Sequence, residues 1–125
     1  MNEHGTHTDG TFPLKKEAAL DYLEPLAEKL ARLRYPERLW LIRYLAEART
    51  SNLQQIVEAN GYEWDPTTQP ASKYRNHLMA LVDMGFVSFE REHDGKIPTN
   101  VFTFEDAEWR RFCGSLLFLA GIILP

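Results

Sequence analysis

Residues 72–104, SKYRNHLMALVDMGFVSFEREHDGKIPTNVFTF, change their periodicity part-way along. Up to Gly85 the apolar positions Tyr74, Leu78, Leu81 and Val82 recur at spacings of three and four, which predicts a helix with one buried stripe and a glycine stop. From there the period becomes two. In FVSFERE, Phe86 or Val87 and Phe89 alternate with polar neighbours, His93-Asp94-Gly95-Lys96 carries the Asp-Gly pair favoured in hairpin turns, and VFTFE returns the strand. A lone hairpin is marginal in water, so this one is expected to lie against the helices through Phe89, Val101 and Phe104.

Upstream, LKKEAALDYLEPLAEKLARLRY sets Leu20, Leu23, Leu26, Leu30 and Leu33 on one helical stripe. Pro25 interrupts it, and either kinks the helix or opens a second one. Pro36 opens PERLWLIRYLAEA, the expected central core helix, with Leu39, Ile42 and Leu45 inward and Arg38 and Arg43 toward water. SNLQQIVEANG reads as a short helix burying Leu53, Ile56 and Val57, with Ser51 and Gln54 as a capping box and Gly61 as its left-handed stop. The link YEWDPTTQP is rich in turn residues, and Pro70 can open the helix that follows. After the hairpin, DAEWRRFCGSLLFLAGIIL is helical, with acidic residues in the first turn where the helix dipole favours them.

A chain of 125 residues with 44% apolar content can build a single core without disulfide or metal staples. Residues 1–12 show no periodicity and are expected to be a disordered N-terminal arm; 13–125 form one domain. The one cysteine, Cys113, lies among apolar residues as a small hydrophobe, which suits a reducing, cytoplasmic setting. MNEHGTHTDGTFP lacks the features of a signal peptide, and the apolar run LLFLAGIIL is nine residues. A helix needs roughly 20 to cross a bilayer, so no membrane partner is expected.

Helix, short helix, turn, helix and hairpin in this order make the winged helix-turn-helix plan: mainly α with a small β-hairpin wing. Two stretches also resemble the ArsR family of small bacterial and archaeal repressors. LAEKLARLRYPERLWLIRYLAEA is similar to the family's opening, a leucine-rich helix running into a proline, an arginine-leucine pair and an apolar helix. SKYRNHLMALVDMGFVSFERE is similar to its recognition helix, through His77-Leu78, Leu81, Gly85, Phe86 and Val87. The resemblance covers roughly residues 20–120. Three features depart from it: GYEWDPTTQP lengthens the turn, Arg75-Asn76 replaces the usual Ser-Arg before His-Leu, and the paired cysteines of the metal sensors are missing. Any effector is therefore not a thiolate-bound metal. The resemblance implies a homodimeric DNA-binding repressor, paired through its first and last helices, here 13–34 and 105–125, around a helix-turn-helix and wing at 36–104.

The chain carries 18 acidic and 14 basic residues, a formal charge of −4, which does not suggest nucleic acid. Between Pro66 and Val82, however, there are two positive charges and no negative one. A helix reads the major groove with the face turned away from its own core, here Ser72, Lys73, Arg75, Asn76 and Met79. Arg75 suits a guanine, Asn76 an adenine edge, and Lys73 and Thr68 the phosphates of double-stranded DNA. On the wing, Arg91 and Lys96 can flank the minor groove, opposed by Glu90, Glu92 and Asp94. His77 is expected to pack and hydrogen-bond between helices.

Other chemistry finds little support. His4 and His7 form a lone H-x2-H in the arm, short of the three or four ligands zinc takes, so neither metal nor cofactor is expected. Cys113 has no arranged histidine, the carboxylates show no paired pattern and there is no glycine-rich phosphate loop, so the chain does not read as an enzyme. The last helix is apolar nearly all round, which calls for burial on several sides. A homodimer interface is expected to use Leu23, Leu26 and Leu30 with Trp109, Phe112, Leu116, Leu119 and Ile123. The competing reading is a winged-helix module that docks protein through Tyr62 and Trp64 instead of DNA.

Overall fold

The computed structural model describes residues 15–94 and 97–123, the side chains of 92–98 and 122–123 excepted. The elements run α1 (Lys16–Arg32), α2 (Pro36–Ala48), β1 (Thr50–Asn52), α3 (Leu53–Ala59), α4 (Gln69–Asp83), β2 (Val87–Asp94), β3 (Ile97–Phe104) and α5 (Asp106–Ile123). Of the sequence expectations, the arm 1–12 and the hairpin-tip residues Gly95 and Lys96 lie outside the described residues.

α1 is one helix through Pro25. The proline and Asp21, whose carbonyl loses its helical donor, are both exposed, so water can serve that carbonyl. On α2 the buried residues are Leu41, Ile42 and Leu45, whereas Leu39, expected inward, is 49% exposed. Arg38, expected in water, is half-buried for reasons given below.

The sheet has three antiparallel strands in the order β1-β3-β2. β1 was not apparent in the sequence. Its three residues pair Thr50 with Thr103, Ser51 with Phe102 and Asn52 with Val101, so it exists because β3 supplies the ladder. This displaces the expected cap by one residue. Ser51 is buried in the strand, its hydroxyl bonded to the Asn52 carbonyl and Gln55 Oε1, and Asn52 caps α3 instead. Asn52 Oδ1 accepts from the Gln55 N–H at 2.8 Å while Gln55 Oε1 accepts from the Asn52 N–H at 2.9 Å.

In the hairpin, Val87 faces Phe104 and Phe89 faces Phe102. The buried anchors are Val87, Phe102 and Phe104; Val101 is half-buried, and Phe89, on the edge strand β2, is exposed although Phe102 opposite it on the central strand is buried. The core joins Leu41 and Leu45 of α2, Ile56 and Val57 of α3, Leu78 and Leu81 of α4 and these strand residues.

Phe86, between α4 and β2, is fully buried. Gly85 turns the chain there at φ +87°, a value that costs a side-chain-bearing residue strain. The Phe86 ring meets Trp109 edge-on at 5.1 Å and Phe112 at 5.3 Å, with the Lys29 ammonium 5.3 Å above it. Full burial of such a ring is worth about 1.5–3 kcal/mol, and this one is spent joining α1, α4 and α5.

Candidate nucleic-acid interface

α3 ends where Asn60 Nδ2 donates to the Ile56 carbonyl, Gly61 takes φ +85° and the Tyr62 N–H reaches back to the Val57 carbonyl. The long turn that follows is ordered locally. Asp65 Oδ1 accepts from both the backbone N–H and the hydroxyl of Thr67, at 2.9 and 2.7 Å, and these bonds hold its carboxyl below the usual range. The Thr68 hydroxyl donates to the Asp65 carbonyl at 2.7 Å, and Thr68 is the residue before the first turn of α4. Thr68, expected at a phosphate, thus uses its hydroxyl proton within the turn and not on the helix end. Trp64 packs against the core, while Tyr62 is 49% exposed.

α4 buries Ala71, Tyr74, Leu78 and Leu81, with Val82 half-buried. That stripe turns Ser72, Arg75, Asn76 and Met79 outward on successive turns, all exposed. The side chains of Arg75 and Asn76 have no hydrogen-bond or ion-pair partner among the described residues. Lys73 differs. Its ammonium is 3.1 Å from Glu37 on α2 and 5.7 Å above the Tyr74 ring. The hydrogen bond to Glu37 raises the Lys73 pKa; a backbone bond first, and Lys73 second, lower that of Glu37.

The angle of α4 is set by a cluster that the sequence showed only in part. Arg38 Nε donates to His77 Nδ1 at 3.1 Å, and Arg38 Nη1 donates to the Arg32 carbonyl at the end of α1, at 2.7 Å. The Tyr35 ring packs beside both, 5.7 Å from the His77 ring and 4.4 Å from the Arg38 guanidinium. Arg32 also reaches Asp83, at the far end of α4, at 3.3 Å. One arginine therefore ties the end of α1, the start of α2 and the middle of α4. His77 packs and bonds as its sequence suggested; for Arg38 the one available signal was its place two residues into a proline-opened helix.

On the wing, Arg91 is exposed opposite Asn100, beside the exposed Glu90. Lys96 is outside the described residues. The wing strands and α4 thus bring Arg91 to the same fold as Arg75 and Asn76 without a shared side-chain network among the described residues. No three of His, Cys, Asp and Glu among the described residues stand together as metal ligands, and no helix among them is long and apolar enough to cross a membrane.

Of the residues expected between subunits, Leu26 and Phe112 are buried within the chain's own core. Leu23, Trp109, Leu116 and Leu119 are half-buried, Leu30 is exposed, and the side chain of Ile123 is outside the described residues. α1 and α5 pack on each other, with Tyr22 and Phe118 edge-on at 6.3 Å. Leu20, Leu30 and Leu117 remain exposed, Leu117 at 74%, as does Phe118 despite that contact.

The arrangement of α2, α3 and α4 with the short β1 and the two-stranded wing is the winged helix-turn-helix fold. A solved structure described as a transcriptional regulator homologue protein from Pyrococcus horikoshii OT3 is similar, with a TM-score of 0.55, 19% sequence identity, and 82% of this chain and 94% of that one covered. At that identity the likeness shows the fold. No family profile and no curated protein matches the chain.

His77 gives the site a pH signature. Burial first, and the Arg38 charge second, push its pKa below the ordinary 6.5, against a smaller opposing effect of Glu37. The folded chain holds His77 neutral, because a proton on Nδ1 would remove the acceptor that Arg38 uses. The unfolded chain takes the proton near 6.5, so stability from this group is full above that pH and is lost as pH falls below it toward the folded value. Denaturant unfolding at pH 7.5 and 5.5 is expected to show a smaller pH-dependent loss in His77→Phe than in the parent chain; an equal loss would contradict this.

Proposed function

We propose that this chain is a sequence-specific, double-stranded DNA-binding transcription regulator, a cytoplasmic repressor that acts as a homodimer and catalyses no reaction. The observation that carries this reading is the outward face of α4. Arg75 and Asn76 stand exposed and uncommitted on a helix whose opposite face is locked into the core, in a fold that presents this helix to the major groove. Arg75 is the candidate for a forked contact to guanine and Asn76 for adenine, with Ser72 beside them at the helix start and Arg91 on the wing toward the backbone. Lys73 joins them only by leaving Glu37. The ArsR-like pattern of the sequence supports the repressor assignment.

The exposed Leu20, Leu30, Leu117 and Phe118 support pairing of two chains through α1 and α5. Two α4 helices would then be related by a two-fold axis, the geometry that reads a palindromic site. The protein-docking alternative keeps one favourable observation, the exposed Tyr62, but its other expected anchor, Trp64, is packed against the core.

A duplex selected from a random pool for tight binding provides the test. Arg75→Ala is expected to weaken binding to that duplex by about 1–3 kcal/mol and to relax discrimination at one base pair. Unchanged affinity and preference would refute the assignment of this face. For the dimer, Leu117→Glu places a charge on a side chain the single chain leaves exposed. Sedimentation velocity is expected to find the parent as a dimer and the variant as a folded monomer; two identical masses would count against pairing through α5.

A further inference from the structure

Beside the outward face of α4, its first turns meet the start of α2 over a solvent-open cavity of about 200 Å³ lined by Pro36, Glu37, Trp40, Asn60 and Tyr74. Its walls are aromatic and braced. Trp40 and Tyr74 lie 6.5 Å apart at 54°, and Trp40 is backed by a stacked Tyr44 at 5.0 Å and 17°. Glu37 supplies one carboxylate, held in its charged form by a backbone hydrogen bond and by Lys73. Asn60 uses its amide nitrogen on the Ile56 carbonyl, which leaves its side-chain oxygen as an acceptor.

Two of these lining groups are already held by a cation of the chain itself, Lys73, which is not part of the lining. The Lys73 ammonium sits 3.1 Å from Glu37 and 5.7 Å over the Tyr74 ring, held by the two interactions that recognise organic cations, a carboxylate and an aromatic face. An anion would meet the same carboxylate and the negative faces of the rings. A neutral apolar molecule would fill the walls without engaging Glu37, which would stay paired with Lys73.

We propose that this cavity binds a small organic ammonium compound with an apolar body, its cationic head on Glu37 and the aromatic rings, in competition with the side chain of Lys73. Lys73 is carried by α4, so a bound cation releases it toward the solvent face where Ser72 and Arg75 lie. That consequence rests on the DNA-binding reading: a freed Lys73 adds a phosphate contact, and the ammonium compound tightens DNA binding.

The probe is 2-phenylethylammonium, with the neutral 2-phenylethanol as its control, titrated by calorimetry into the full chain without DNA. The cation is expected to bind saturably and the alcohol not. Lys73→Met, which removes the internal competitor, is expected to tighten the cation about two- to five-fold, the scale on which an exposed ion pair competes. Glu37→Gln is expected to abolish binding, also when combined with Lys73→Met. Equal binding of the alcohol, no saturable binding to either the parent or Lys73→Met, or an affinity indifferent to Lys73→Met would each overturn the proposal. A second arm measures anisotropy of a labelled duplex with and without the cation. Tighter DNA binding supports the coupling, and unchanged DNA binding with the cation bound overturns it. A chain that binds the cation but no duplex at all keeps the site and overturns the DNA reading.

Discussion

Phe86 has no exposed surface, and the placement of α4 depends on it. Its N–H bonds to the Leu81 carbonyl, closing the end of α4, and its own carbonyl accepts the Glu105 N–H at 2.9 Å, fixing where α5 begins. Its ring is enclosed by Trp109 and Phe112 of α5 and roofed by Lys29 of α1. One residue thus sets the relation among α4, the wing that leaves from Val87, and the terminal helices. Arg38 completes the hold from the other side, through His77 and the Arg32 carbonyl. A helix fixed at both its middle and its end can present side chains at defined positions, which is what reading a base edge demands.

The acidic balance of the chain has a location. Glu17, Asp21, Glu24 and Glu28 are all exposed on α1, whereas α4 carries no carboxylate before Asp83, and that one faces Arg32. At physiological salt, exposed charges more than about 8 Å apart are largely screened, so the local composition of α4 counts for more than the total of −4. Glu37 is the exception. It reaches the one lysine of α4 and lowers the net positive charge of that helix; under the proposed DNA-binding role this favours side-chain readout over bulk attraction to phosphate.

Much of this fold was legible in the sequence because its signals are local. The stripe Tyr74-Leu78-Leu81, the glycines at 61 and 85 and the change of period at Phe86 each report a short-range requirement, and each element stands where its signal is. Long-range effects were not legible. β1 is three residues with no alternation, made a strand only by β3, and its formation moved the cap of α3 from Ser51 to Asn52, since S-N-L-Q-Q offers both registers. Leu39 sits on the predicted apolar side of α2, but no element among the described residues covers it, and Leu41, two residues on, is buried instead. At the site, the outward set Ser72, Arg75, Asn76 follows directly from the inward stripe. The commitments of Lys73 to Glu37 and of Thr68 to Asp65 do not, because they depend on how α2 and the turn approach α4.

The most direct test of the account is fluorescence anisotropy of the full chain against the DNA upstream of its own gene and a random duplex pool, across a salt titration. The account predicts tighter binding to the upstream DNA than to the pool, with both affinities falling as salt rises while the preference persists. No binding to either at low salt would contradict it.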